Sequence, residues 1–245
     1  MDRCFYDTSP AMPNPPAGKP RVWLSWSSGK DSAWTLHVLR VRGEVEVVGL
    51  LTTLNREAAR VAMHAVREEL LDAQAEAAGL PLVKVFLPHP CSNDIYEKAM
   101  GGAIVQARDA GVTHMAFGDL FLEDVRRYRE RMLAGAGIEP LFPLWGEPTG
   151  RLAERMVAAG LRAHLTCVDP AQLSGTFAGR TFDESLLKDL PEQVDPCGER
   201  GEFHTFAHAG PMFDRPIPIV PGEVVTRDGF VFADLKLARN IREGS

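Results

Sequence analysis

The stretch Arg21–Ser32, RVWLSWSSGKDS, leaves an apolar run through two serines and a glycine, then places Lys30 and Asp31 at the start of a new element. Val22 to Trp26 reads as a strand, and the residues from about Asp31 to Arg42 read as a helix that stops near Gly43. A glycine-bearing turn between a buried strand and a helix exposes several backbone N–H groups. They point the same way as the unsatisfied amides of the helix's first turn, where the helix dipole adds partial positive charge. Ser27, Ser28 and Ser32 add hydroxyls, Gly29 adds conformational room and Lys30 adds a full charge, while Asp31 favours the helix start. Together they make an anion seat suited to the polyphosphate tail of a nucleotide. The alternative is a merely polar turn, since Ser, Gly and Asp are common in such turns.

Working outward, strand and helix patterns alternate. Val45 to Thr53 is apolar and β-branched without clean alternation, as in a strand buried on both faces. Val61 to Ala78 reads as a helix ended by Gly79 and Pro81; Leu82 to Phe86 reads as a strand. Asp94 to Ala110 reads as a helix with Tyr96, Met100, Ala103 and Ala107 at helical spacing, and Thr113 to Phe117 as a further strand. Such alternation predicts an α/β, doubly wound parallel sheet of the Rossmann-like kind, whose ligands bind at the carboxyl ends of its strands. SSGKDS, Thr52, the loop after Phe86 and Gly118-Asp119 all lie at such ends and are expected to converge.

The texture changes after about residue 135. A helix from Arg151 to Ala159, a strand from Leu161 to Val168 and short β-like runs after Cys197 predict a smaller α+β domain. The expected division is a flexible leader at 1–20, a nucleotide-binding domain at 21–135 and a substrate-side domain at 136–245. Trp145 is expected to fill the seam between the domains.

The bulk numbers bound the function. The chain has 245 residues and a net charge of -6, which argues against a broad footprint for nucleic acid. No apolar run approaches a membrane span, and residues 1–20 lack the apolar core of a signal peptide. Four widely separated cysteines (Cys4, Cys91, Cys167 and Cys197) form neither a zinc pattern nor a disulfide framework, which fits a reducing cytoplasm.

The opening motif does not match two better-known phosphate loops. A Walker A loop needs glycine where Leu24 stands, and no GxGxxG is present. SSGKDS instead resembles the SGGKDS signature of the PP-loop ATP pyrophosphatases, with Ser28 in place of a glycine. Three later segments sharpen the resemblance: GDLFLEDVRRYRERM from Gly118, PLFPLW from Pro140, and DPCGERGEFHTF from Asp195. In this order they look like the diphthine–ammonia ligase family and its bacterial relatives, and the likeness covers nearly all of residues 21–215. Helices rich in Ala and Arg point to a bacterial member. Asp124 and Tyr128 depart from the family's tyrosine and basic positions on the helix after Gly118.

Read from residues alone, Gly198-Glu199-Arg200-Gly201-Glu202 sets two carboxylates three apart on a backbone free to turn tightly. Such a loop can bind Mg²⁺, hold an amine, orient a nucleophile, or be a solvated acidic turn. The resemblance implies adenylation of an acceptor oxygen by ATP, with pyrophosphate released, and then transfer of ammonia or an amine. It implies ATP contacts from Ser27, Ser28, Gly29, Lys30, Asp31, Ser32, Thr52, Gly118 and Asp119, with Mg²⁺ held by Asp31 or Asp119. Catalysis is expected from Lys30, Glu199 and Glu202. Substrate contacts are expected from Arg126, Glu130, Gly198, Gly201 and His204. His64 ranks low as an adenylate contact, and Cys197 reads as packing rather than nucleophile. The acceptor, a small molecule or a protein, is left open, as is a homodimer. Rival readings are a PP-loop enzyme acting on tRNA and a nucleotide-binding module without turnover.

Overall fold

A computed structural model describes residues 18–55, 60–61, 66–88 and 90–238, with residues 60–61 described by backbone alone. The first strand, β1 (Arg21–Ser25), is followed by the helix α1 (Lys30–Arg42). The helix ends where Gly43 turns left-handed, φ 64°, and donates its N–H to the Leu39 carbonyl at 3.1 Å. There follow β2 (Glu46–Asn55), the short β3 (Arg60–Val61), α2 (Glu68–Ala78), β4 (Leu82–Leu87) and α3 (Asn93–Asp109). The second helix was expected from Val61. Residues 60 and 61 instead pair antiparallel with the end of β2, and the helix begins at Glu68. His64 lies outside the described residues. In α3 the Ser92 hydroxyl caps the first turn by accepting the Ile95 N–H at 3.4 Å, and Met100, Ala103 and Ala107 form the buried stripe.

The chain continues through β5 (His114–Ala116), α4 (Glu123–Leu133), β6 (Glu139–Leu141) and α5 (Thr149–Ala158). The strand β6 was not evident in the sequence, because it spans three residues around Pro140. It lies outside β5 in the strand order, where a missing N–H is tolerated. Strands β4, β2, β1, β5 and β6 run parallel in that order. The order reverses between β1 and β5, which is the switch point where open α/β sheets bind ligands.

A second sheet is antiparallel, in the order β8 (Phe203–Ala209), β7 (Arg162–Val168), β10 (Phe230–Leu237) and β9 (Ile219–Arg227). The short α6 (Glu184–Asp189) lies between β7 and β8 in sequence. One apolar core runs through both sheets: Leu24, Leu36 and Leu144 belong to it together with Leu165, Phe203 and Phe206. Burying each such side chain contributes about 1.5–3 kcal/mol. A second cluster, including Trp23, Met100, Ile104 and Phe117, forms a further core. Leu144, fully buried, takes the place in the shared core expected of Trp145; that indole instead meets Phe142 edge-on and lies under the Arg126 guanidinium.

Polar cross-links reinforce the junction. Gln74 of α2 accepts the Trp26 indole N–H at 2.9 Å and donates to the Ser28 and Ala207 carbonyls at 3.0 and 2.6 Å. Arg67 forms a two-toothed pair with Asp234, at 3.0 and 2.7 Å. Among the described residues, no helix is long and apolar enough to cross a membrane.

Candidate active site

The turn after β1 is held from several sides. Trp26 keeps one more rung by donating its N–H to the Leu51 carbonyl at 2.7 Å. Ser28 then adopts φ 72°, a left-handed conformation that favours glycine. Its carbonyl accepts the Ala207 N–H of β8 at 3.0 Å. Gly29 is extended and begins α1, and the Lys30 N–H donates to the Thr205 hydroxyl of β8 at 3.0 Å. The Ser27 and Ser32 hydroxyls lie 3.1 Å apart, at the helix start.

A cavity of about 270 Å³ opens at this turn. Its walls come from Ser27, Lys30, Asp31 and Ser32, from Phe117, Gly118 and Asp119 after β5, from Arg129 of α4, from Cys197, Gly198, Glu199 and Gly201, and from Phe203 to Thr205 of β8. It therefore stands at the strand-order reversal, closed on one side by the second sheet. Small-molecule pockets usually reach about 300–1,000 Å³, so this space suits the reacting end of a nucleotide rather than the whole molecule. Gly118 brings the β5 end against α1: a Cβ there would stand 3.0 Å from the Asp31 carbonyl carbon and 3.1 Å from the Ser32 nitrogen.

Of the residues singled out in the sequence, Ser27, Lys30, Asp31, Ser32, Gly118, Asp119, Gly198, Glu199, Gly201 and His204 meet at this cavity. Ser28 and Gly29 shape the turn beside it. Thr52 does not reach it; its side chain is buried in β2, the hydroxyl without a partner among the described residues. Arg126 and Glu130 are also outside. They pair with each other at 2.9 Å on α4, Arg126 over the Phe142 and Trp145 rings and Glu130 beside His114 at the start of β5. Glu202, 1% exposed, turns into its own loop, where its two oxygens accept the Asp195 and Arg200 N–H groups, each at 2.9 Å. Sequence reasoning missed Arg129, Thr205, Phe117 and Phe203. Arg129 stands between Arg126 and Glu130 on α4, and nothing in its spacing set it apart from them.

The charges in the cavity are coupled. The Lys30 ammonium, 2% exposed, donates to the Asp31 carboxylate at 2.9 Å and to the Cys197 carbonyl, and lies over the Phe182 and Phe203 rings at 5.5 and 5.3 Å. Burial opposes its charge, but the Asp31 carboxylate, with smaller contributions from Cys197 and Glu199, holds its pKa above the ordinary value. Glu199 accepts the Leu120 N–H at 2.7 Å, yet burial pushes its carboxyl up to about 7. Burial also raises the Asp119 carboxyl, against the pull of Arg129 at 3.4 Å. His204 is pushed down to about 4 by burial and by Lys30, so its ring is neutral at pH 7. The Cys197 thiol is pushed far up by burial and donates to the Thr149 carbonyl at 3.5 Å, which makes it a packing group.

Among the described residues no three His, Cys, Asp or Glu side chains converge on a metal site. Asp31 Oδ1 is buried without a hydrogen-bond partner among those residues. One hard oxygen at the first turn of α1 fits Mg²⁺, which is commonly held by one or two carboxylates plus substrate phosphates. Asp119 fits it less well, since its carboxylate faces Arg129.

Residues 20–140 match the model of the diphthamide synthase N-terminal domain, and residues 148–241 match that of the diphthamide synthase C-terminal domain. The chain is similar to the diphthine–ammonia ligase of Homo sapiens, 26% identical over 242 residues that cover 89% of this chain and 90% of the relative. The diphthine–ammonia ligase of Bos taurus gives the same figures. That of Danio rerio is 28% identical over 241 residues, covering 87% of this chain and 91% of the relative.

Proposed function

The chain belongs to the diphthamide synthase family, and from that premise we propose that it is an ATP-dependent C–N ligase. The reaction adenylates an acceptor carboxyl oxygen with release of pyrophosphate; ammonia or an amine then displaces AMP. The observation that carries this reading is the shared cavity: the turn 27–32 and Glu199 of the loop 198–202 line one space at the strand-order reversal, though 167 residues separate Ser32 from Glu199.

Ser27, Ser32 and the first-turn amides of α1 would seat the phosphates, with the helix dipole adding to the attraction. Lys30 supplies the nearest full positive charge, aimed between that seat and the second sheet. Mg²⁺, when bound through Asp31 Oδ1, would neutralise phosphate charge. Glu199 is the base of this scheme. With a pKa of about 7 it is divided between its two protonation states at neutral pH, which suits it to take a proton from ammonium and so free the ammonia that attacks. Its Oε1 is anchored by the Leu120 N–H. Arg129 offers a guanidinium on the same wall for an anionic group of the acceptor. Phe117 and Phe203 line the remaining wall and keep water away from a reactive acyl adenylate.

The test is to incubate the full chain with α-labelled ATP, ammonium and a protein acceptor carrying diphthine. AMP and pyrophosphate formed in proportion to acceptor consumed support the proposal. ADP and phosphate as products would overturn it.

A further inference from the structure

We infer that Asp195 and Glu202 are positioning residues: together they lock the loop between them so that Glu199 meets the Leu120 N–H and faces the cavity. The inference rests on the reading of Glu199 as the base, but its geometry is independent of that reading.

The loop is folded almost wholly around acceptors of its own. Glu202 Oε1 accepts the Asp195 N–H and Oε2 accepts the Arg200 N–H, both at 2.9 Å. Asp195 Oδ2 accepts the Glu199 N–H at 2.9 Å, and the Asp195 carbonyl accepts the Gly198 N–H at 2.8 Å. The Gly201 N–H closes the inner turn on the Gly198 carbonyl at 3.1 Å. Gly198 and Gly201 supply the positive φ values, 68° and 87°, that let the chain curl inward. Neither carboxylate is a solvated surface charge: Asp195 is 5% and Glu202 1% exposed. Both oxygens of Glu202 are engaged away from the cavity, so it reaches no substrate there. The glutamate between the two glycines is left to project outward. Its Oε1 bridges to Leu120, which follows the β5 end, so the lock registers the loop of the second sheet against the first.

The choice of a carboxylate at 202 follows from its two donors. A glutamine offers one oxygen, and its NH₂ would confront the second N–H. Asp195 faces its side-chain donor with one oxygen, so asparagine can still serve there. A displacement of about 1 Å at a reacting group can cost about 100-fold in rate, which is the scale on which such a lock matters.

Nitrogen-15 spectra of the full-length protein test the inference without an acceptor. The groups facing Glu199 are Leu120 and Asp119 after β5 and Lys30 and Asp31 of α1. In the wild type the Leu120 amide should titrate with a midpoint near 7, and Glu199→Gln should remove that step. Glu202→Gln should remove the step or move its midpoint by a unit or more, with the β1 and α2 amides unmoved and ATP affinity within twofold. Asp195→Asn should retain the wild-type step. A Glu202→Gln protein with an unchanged Leu120 titration would overturn the inference. Should Glu202→Gln fail to fold, Asp195→Ala takes its place: loss of the step there, against retention in Asp195→Asn, supports the lock, and retention in both defeats it. If Glu199→Gln abolishes the Leu120 step yet keeps the full rate of acceptor amidation, the base assignment fails while the lock stands.

Discussion

The Lys30 ammonium and the Cys197 carbonyl oxygen meet across the junction of the two sheets, 167 residues apart in sequence. The cation of the turn after β1 is thereby tied to the acidic loop, between two phenylalanine rings. Lys30→Met should lower unfolding stability by about 3 kcal/mol, because it strands the half-buried Asp31 charge and the Cys197 carbonyl. Urea unfolding checks this. A loss below about 1 kcal/mol would show that the contact contributes little to the junction.

Ser28 stands at φ 72° with its side chain fully buried and its hydroxyl unpartnered among the described residues. Left-handed backbone costs a non-glycine residue roughly 1–2 kcal/mol, part of which glycine offsets by its greater freedom when unfolded. Ser28→Gly should therefore raise Tm by about 2–4 °C, the equivalent of about 1 kcal/mol in a chain of this size. Ser28→Val should lower it. A lower Tm for the glycine variant in a thermal scan would contradict the strain argument.

Gly118→Ala should weaken ATP binding at least tenfold in calorimetry. Its Cβ would press on the Asp31 and Ser32 backbone and, at 3.1 Å, on the Thr35 hydroxyl that anchors to the Asp31 carbonyl. The first turn of α1 must then move, at a cost of about 1–3 kcal/mol. Gly101→Ala in α3 is the control, since nothing lies within 4 Å of its added Cβ. That change should stabilise the helix by about 1 kcal/mol and leave ATP binding alone.

Glu199 has a folded pKa of about 7 against an ordinary value of 4.5, so the folded state holds the proton more tightly. Its contribution is fully present below pH 4.5 and is lost as pH rises through 7. The stability of Glu199→Gln relative to wild type should grow across that window by about 1–2 kcal/mol, the full shift being reduced by solvent screening. His204 and His208, both pushed down to about 4, act with the opposite sign and lose stability as pH falls from 6.5. They are common to both proteins and cancel in the difference. Urea midpoints at pH 5 and pH 8 measure it; an equal difference at the two pH values would refute the shifted carboxyl.

Much of the sheet was legible because its signals are local. A buried strand, a serine and glycine turn, and helix stops at Gly43 and Gly79 each carry their own steric reason. The strand β6 escaped because Pro140 argues against a strand except at an edge, and edge position is a property of the whole sheet. On α4, the family pattern drew the reading to Arg126 and Glu130. The facing side chain is Arg129, whose guanidinium lies over the Phe117 ring at 5.0 Å. Glu199 and Glu202 look equivalent in sequence, each beside a glycine. Their opposite fates depend on where the Asp195, Glu199 and Arg200 amides point after two left-handed turns, which no pattern of residue types encodes.

The turn of residues 27–32 borrows its shape from β8, through Ala207 to the Ser28 carbonyl and Thr205 to the Lys30 amide. A ribosome-bound chain that has delivered only the parallel strands consequently lacks the template for its own nucleotide seat. On the proposed function, capture of ATP would wait until residues 205–207 have emerged, so a truncated nascent product should sequester none of the cell's nucleotide.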